Sequence, residues 1–153
     1  MATEGTTHRL VEYGARVTYE GELSNSNGRK KGVGTLTLAD GKVYSGRFDN
    51  GYCDGVGVLT YDDNSSYRGE FREGKFHGFG ELRQGSSTFQ GKFVTGQVTS
   101  GRLQTTVGKR LMSVSGSFAN GSVSRMSESS VNELVSKAVA CAEQADKEAA
   151  RCK

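Results

Sequence analysis

YRGEFREGKFHGFGEL, residues 67–82, puts four glycines and four aromatic side chains into sixteen positions. In an extended strand, residues two apart share a face. Tyr67, Gly69 and Phe71 therefore point one way, and Arg68 and Glu70 the other. In the second half Gly78, Gly80 and Leu82 share a side, with Phe79 and Glu81 opposite. A glycine between two large side chains empties the middle of that face, so a facing ring can lie flat against the backbone. Between the halves, Arg72-Glu73-Gly74 places glycine where a tight hairpin turn needs positive φ. The stretch reads as two strands and a short turn, with ring and glycine as a matched lump and hole.

The same phrases recur along the chain. Ring-glycine-ring phrases stand at Tyr19-Glu-Gly21-Glu-Leu23, Tyr44-Ser-Gly46-Arg-Phe48, Tyr67-Arg-Gly69-Glu-Phe71 and Phe89-Gln-Gly91-Lys-Phe93, with a worn copy at Val114-Ser-Gly116-Ser-Phe118. From the second copy on, a glycine follows three residues later, at Gly51, Gly74, Gly96 and Gly121. Then comes Gly32-Val-Gly34-Thr-Leu36, Gly55-Val-Gly57-Val-Leu59 or Gly78-Phe-Gly80-Glu-Leu82. Self-similarity at such a period marks a repeat architecture. Composition agrees: 22 glycines without proline or tryptophan, and 34% hydrophobic residues, suit a thin β-rich body better than a thick core or a disordered linker.

These phrases resemble the MORN repeat, roughly Tyr-x-Gly-x-aromatic, Gly, then Gly-x-Gly-x-Leu. The resemblance covers residues 19–101, with Leu23 in place of the first aromatic and Asn64 where the preceding repeat has Gly41. It implies a mainly β fold: an elongated, single-layer antiparallel β-meander with a C-terminal α-helix. The sheet is expected over residues 1–126, with clear repeats over 19–101 and degenerate ones over 102–126. About nine strands, each some five residues wide and about 4.8 Å apart, give a ribbon about 40 Å long. Residues 127–153 are expected to form an amphipathic helix docking on the sheet, along its groove or across one end. Ser130 and Glu133 have capping-box spacing, Val131, Leu134, Val135, Ala138 and Ala145 recur at helical spacing, and Glu133–Lys137 and Glu143–Lys147 are i,i+4 pairs.

No catalytic constellation emerges, and the reading is of a non-enzyme. Gly32-Val-Gly34 and Gly55-Val-Gly57 lack the third glycine and the helix of a dinucleotide site. His77 reads as a loop histidine, without partners at metal-ligand spacing. Cys53, Cys141 and Cys152 read as reduced thiols. Neither a metal nor another cofactor is expected. A net charge of +3 does not point to nucleic acid, and neither a signal peptide nor a membrane-spanning run is legible.

The chemistry that remains is binding. Tyr44, Phe48, Tyr67, Phe71, Phe89 and Phe93 are either interior packing or the lining of a groove that receives a partner segment, since rings offer rigid apolar area and tyrosine a polar tip. Arg68 and Glu70 would supply rim polarity if the opposite face were used. By what the resemblance implies, the chain is a cytoplasmic monomer whose groove grips the tail of a class III unconventional myosin in actin-rich protrusions. The alternative is a peripheral membrane module touching anionic phospholipids through Arg29, Lys30 and Lys31, at about 1 kcal/mol per basic residue.

Overall fold

The computed structural model describes residues 5–14, 16–119 and 122–152. The strands are β1 (Thr6–Glu12), β2 (Thr18–Ser24), β3 (Lys30–Thr37), β4 (Val43–Asp49), β5 (Tyr52–Thr60), β6 (Ser66–Arg72), β7 (Lys75–Gln84), β8 (Ser87–Val94), β9 (Gln97–Val107), β10 (Arg110–Ala119) and β11 (Ser122–Ser124), followed by helix α1 (Glu128–Ala150). Every strand pairs antiparallel with the next in chain order, so the sheet is one open meander. Eleven strands replace the nine expected, and all but β11 are seven residues or longer. The additions lie at the ends, where β1 and β11 carry no ring-glycine phrase to betray them. Residues 102–126 continue the sheet through β9, β10 and β11 before the helix begins. The expected turn at Asn120-Gly121 lies outside the described residues.

Turn chemistry sets the hairpins. Asn50 and Gly51, Glu73 and Gly74, and Thr95 and Gly96 all take positive φ, 50° at each first residue and 83–88° at each glycine. Two left-handed residues in a row make a turn whose twist matches that of the flanking strands. Thr95, β-branched, holds this conformation at a strain cost of about 1–3 kcal/mol that the flanking ladder must offset.

Register then sets glycine against glycine. Gly21 faces Gly34, Gly46 faces both Gly34 and Gly57, and Gly69 faces both Gly57 and Gly80. The row continues through Gly91, Gly101 and Gly116. A Cβ at Gly34, Gly57 or Gly80 would strike the ring of Tyr19, Tyr44 or Tyr67. The tyrosines lie across this bare track. Their hydroxyls reach the carbonyl three residues ahead, Tyr19 donating to Glu22 at 2.6 Å, Tyr44 to Arg47 at 2.7 Å and Tyr67 to Glu70 at 2.8 Å. Burial holds all three phenols far above their ordinary titration range.

The next repeat closes each ring. Phe48 packs edge-on to Tyr19 and Tyr44 with centroids 5.1 and 5.0 Å away, Phe71 to Tyr44 and Tyr67 at 4.9 and 5.0 Å, and Phe93 to Tyr67 and Phe89 at 5.1 and 5.2 Å. Each such pair adds about 0.5–1.5 kcal/mol beyond its buried area. A single layer thus acquires a core by threading one ladder of rings along one face.

The helix takes the other face. Its cap is Ser127, whose hydroxyl accepts from the Ser130 amide, so the helix starts ahead of the expected Ser130–Glu133 box and Ser130 sits in the first turn. Val131, Ala138, Ala142, Ala145 and Glu148 form its buried stripe. It lies across β3 through β9, neither in the ring groove nor over one end. Its 23 residues rise about 35 Å, close to the roughly 29 Å spanned by the six steps from β3 to β9.

Candidate partner-binding face

Strand alternation places two different surfaces on the same backbone. On the ring side, Tyr44, Phe48, Tyr67, Phe71, Phe89 and Phe93 come together in one cluster, none more than 5% exposed. They form the interior of the ladder, because the ring of each repeat is roofed by the phenylalanine of the next. What this side presents to solvent is a half-buried row packed against them: Leu36, Leu59, Leu82 and Leu103, with Cys53, Phe76 and Phe118. Each leucine lies directly opposite a ladder ring, Leu36 and Leu59 beside Tyr44, Leu82 beside Tyr67 and Phe89. The result is a shallow apolar trough with a rigid floor. Leu36, Leu59 and Leu82 are the last residues of the Gly-x-Gly-x-Leu phrases. Burial pushes the Cys53 thiol up to about 12, which disfavours its thiolate.

At one end of this side lies a largely apolar cavity of about 220 Å³ lined by Leu82, Phe89, Val98, Leu103 and Phe118 together with Gln84 and Ser87.

The opposite side is already occupied. Arg68, a rim residue only if a partner used this face, bonds Glu81 at 2.7 Å and pairs with Asp146 of α1. Arg47 reaches Glu148 of α1 at 3.2 Å, and Arg102 donates to Asn132 at 2.9 Å. The Lys137 amine stands 5.4 Å over the Phe79 ring. Glu70, the other expected rim residue, accepts the Phe79 amide at 2.6 Å, as Glu22 accepts the Val33 amide at 2.7 Å. Cys141 lies on the same side, where burial and then the Glu70 carboxylate raise its thiol to about 11.

Glu81 is the centre of this surface, 3% exposed and held by Arg68, Arg83 and Gln90 at 2.6–2.7 Å. Burial alone would raise its carboxyl. The donated hydrogen bonds of Arg68 and Gln90 and the charges of Arg68 and Arg83 outweigh that and hold it below its usual range.

The basic triplet is less free than its sequence suggests. Arg29 donates to Asn50 at 2.7 Å, and the Lys30 amine sits 4.5 Å over the Tyr13 ring and 5.6 Å over Tyr19. Burial lowers the Lys30 pKa. A lysine used this way packs its stem and cation on rings. His77 belongs to β7 and not to a loop, its Nδ1 accepting from the Thr95 amide at 3.5 Å. Among the described residues, no group of three His, Cys, Asp or Glu side chains could hold a metal.

Comparison with known proteins bears on the repeats alone. Residues 19–43, 44–66 and 67–87 each match the MORN repeat. No curated protein matches the chain.

Proposed function

From the premise that this chain carries three consecutive MORN repeats, units that generally serve as protein- or membrane-binding modules, we propose that it is a non-catalytic adaptor gripping a segment of a protein partner on its ring side. One observation carries this reading. The half-buried leucines Leu36, Leu59, Leu82 and Leu103 recur along a rigid floor, on the face that α1 leaves open. Preorganised apolar area loses little freedom on binding, so a shallow surface can still give useful affinity. The rings set the shape of the trough from below, and the leucines make contact.

For the partner, the repeat order and helical tail resemble those of retinophilin. On that resemblance we propose the tail of a class III unconventional myosin, met in the cytoplasm of actin-based projections. The lipid alternative draws less support, because Arg29 and Lys30 are engaged within the protein. Calorimetry of the intact protein against class III myosin tail peptides tests the reading. Binding with a Kd of about 10 µM or tighter is expected, weakened at least about tenfold by Leu59→Asp. No heat at about 50 µM protein removes the myosin partner.

A further inference from the structure

The ring ladder stops one ring short. Tyr44, Tyr67 and Phe89 each stand opposite two leucines of the neighbouring strands, and each meets a phenylalanine from a neighbouring repeat edge-on. The next equivalent position is Val114, opposite Leu103 and followed at the same offsets by Gly116 and Phe118. Phe118 finds Phe89 at 5.7 Å on one side, but valine offers it no ring on the other. Val114 is 45% exposed, and Leu103, its partner across the ladder, lines the cavity of about 220 Å³ together with Phe89 and Phe118. The walls are rings and aliphatic side chains already placed to receive one more aromatic edge.

Charge selects what could bring that ring. From Leu82 through Ser127 the chain has no Asp or Glu, but carries Arg83, Lys92, Arg102, Lys109, Arg110 and Arg125. Arg110 shares the ring side with Val107 and Met112, two steps beyond Val114, and Lys109 occupies the turn next to it. Neither is in an ion pair among the described residues. An apolar socket on the same side of the sheet as an unopposed cation is complementary to an aromatic side chain flanked by carboxylates.

We propose that this socket, next to the position where the ladder lacks a ring, receives one aromatic side chain of an acidic partner segment. The proposal rests on the ring side being the binding face and names the chemistry of the segment that sits at its end.

Methyl NMR on the intact protein tests it, with a synthetic peptide of alternating glutamate and alanine around one central phenylalanine as probe. Saturable shifts are expected at Leu82, Val98 and Leu103. Replacing the phenylalanine by alanine, or the glutamates by lysine, should weaken binding at least about tenfold. Val114→Tyr should fill the socket from within, weakening the peptide about tenfold and leaving the Leu36 and Leu59 methyls in place. The double reversal Lys109→Glu with Arg110→Glu, outside the packed ladder, should weaken it several-fold. Absence of any shift overturns the proposal, as does undiminished binding to Val114→Tyr or to the charge reversal. Shifts at Leu36 and Leu59 without Leu82 and Leu103 overturn the socket and leave the trough standing. If phosphatidylserine vesicles perturb Val107, Leu111 and Met112 while the peptide perturbs nothing, this end meets a lipid surface and the proposal fails.

Discussion

The two faces of this sheet share every backbone atom yet solve burial in opposite ways. The ring face repeats: Tyr19, Tyr44 and Tyr67 each lie over a glycine track, donate to a carbonyl three residues on and meet the Phe of a neighbouring repeat. The helix face repeats one contact, Glu22 and Glu70 each accepting a backbone amide of the next strand, and is otherwise irregular. There Arg68 and Gln90 converge on Glu81, while Phe79 and Arg102 meet α1. One face draws its cover from the neighbouring repeat, the other from a segment far along the chain, Arg68 and Asp146 being 78 positions apart. A periodic surface can be read from a short window. An aperiodic one cannot.

The contrast breaks most visibly under lesions of similar size. Gly80→Val places branched carbon where the Tyr67 ring lies, and the ladder has no slack there. We expect a loss above about 4 kcal/mol, enough to unfold the domain in urea titrations followed by tyrosine near-UV circular dichroism. Ala142→Val, on the buried stripe of α1, should cost about 1–3 kcal/mol and reduce the helical signal before the tyrosine signal. Equal losses from both, in one transition, would show that the faces are not separable.

A second test concerns charge. Glu81→Gln leaves Arg68 and Arg83 facing an amide and should destabilise by about 2 kcal/mol near neutral pH. The sign with pH follows from its depressed carboxyl. The stabilisation is present above the unfolded value of about 4.5 and is lost as pH falls through the lower folded value. The native chain should therefore lose stability below about pH 4.5 more steeply than Glu81→Gln, measured as urea midpoints across that range.

The smallest effect sharpens the repeat itself. Tyr19→Phe, Tyr44→Phe and Tyr67→Phe each remove one hydroxyl donation and keep the ring. Each should cost about 1 kcal/mol, with similar values at all three sites. Unequal costs would mean that the repeats are alike in sequence but not in energy.

The same contrast explains what could be read in advance. The meander, its hairpin turns and the side on which Tyr67, Gly69 and Phe71 lie were legible, because alternation and turn chemistry are local. The burial of the six rings was not decided there, since whether Tyr44 is roofed depends on where Phe71 falls, a distance set by the curl of the sheet. Arg68 and Glu81 looked like surface charges because nothing nearby announces that they pair directly across β6 and β7 beneath a helix. The helix starts at Ser127 and not Ser130 because Ser127, Ser129 and Ser130 all have capping chemistry, and local sequence does not choose among them.

The helix laid across β3 to β9 has a mechanical consequence. A meander joined only by hairpins would come apart under tension like a zipper, one strand at a time from either end. Here a stiff crosspiece packs across seven strands, β3 to β9, and ties them together. Under load the ends should peel first, and the strapped centre should yield in one larger step. A sheet held at both ends would then stretch a little before it lets go.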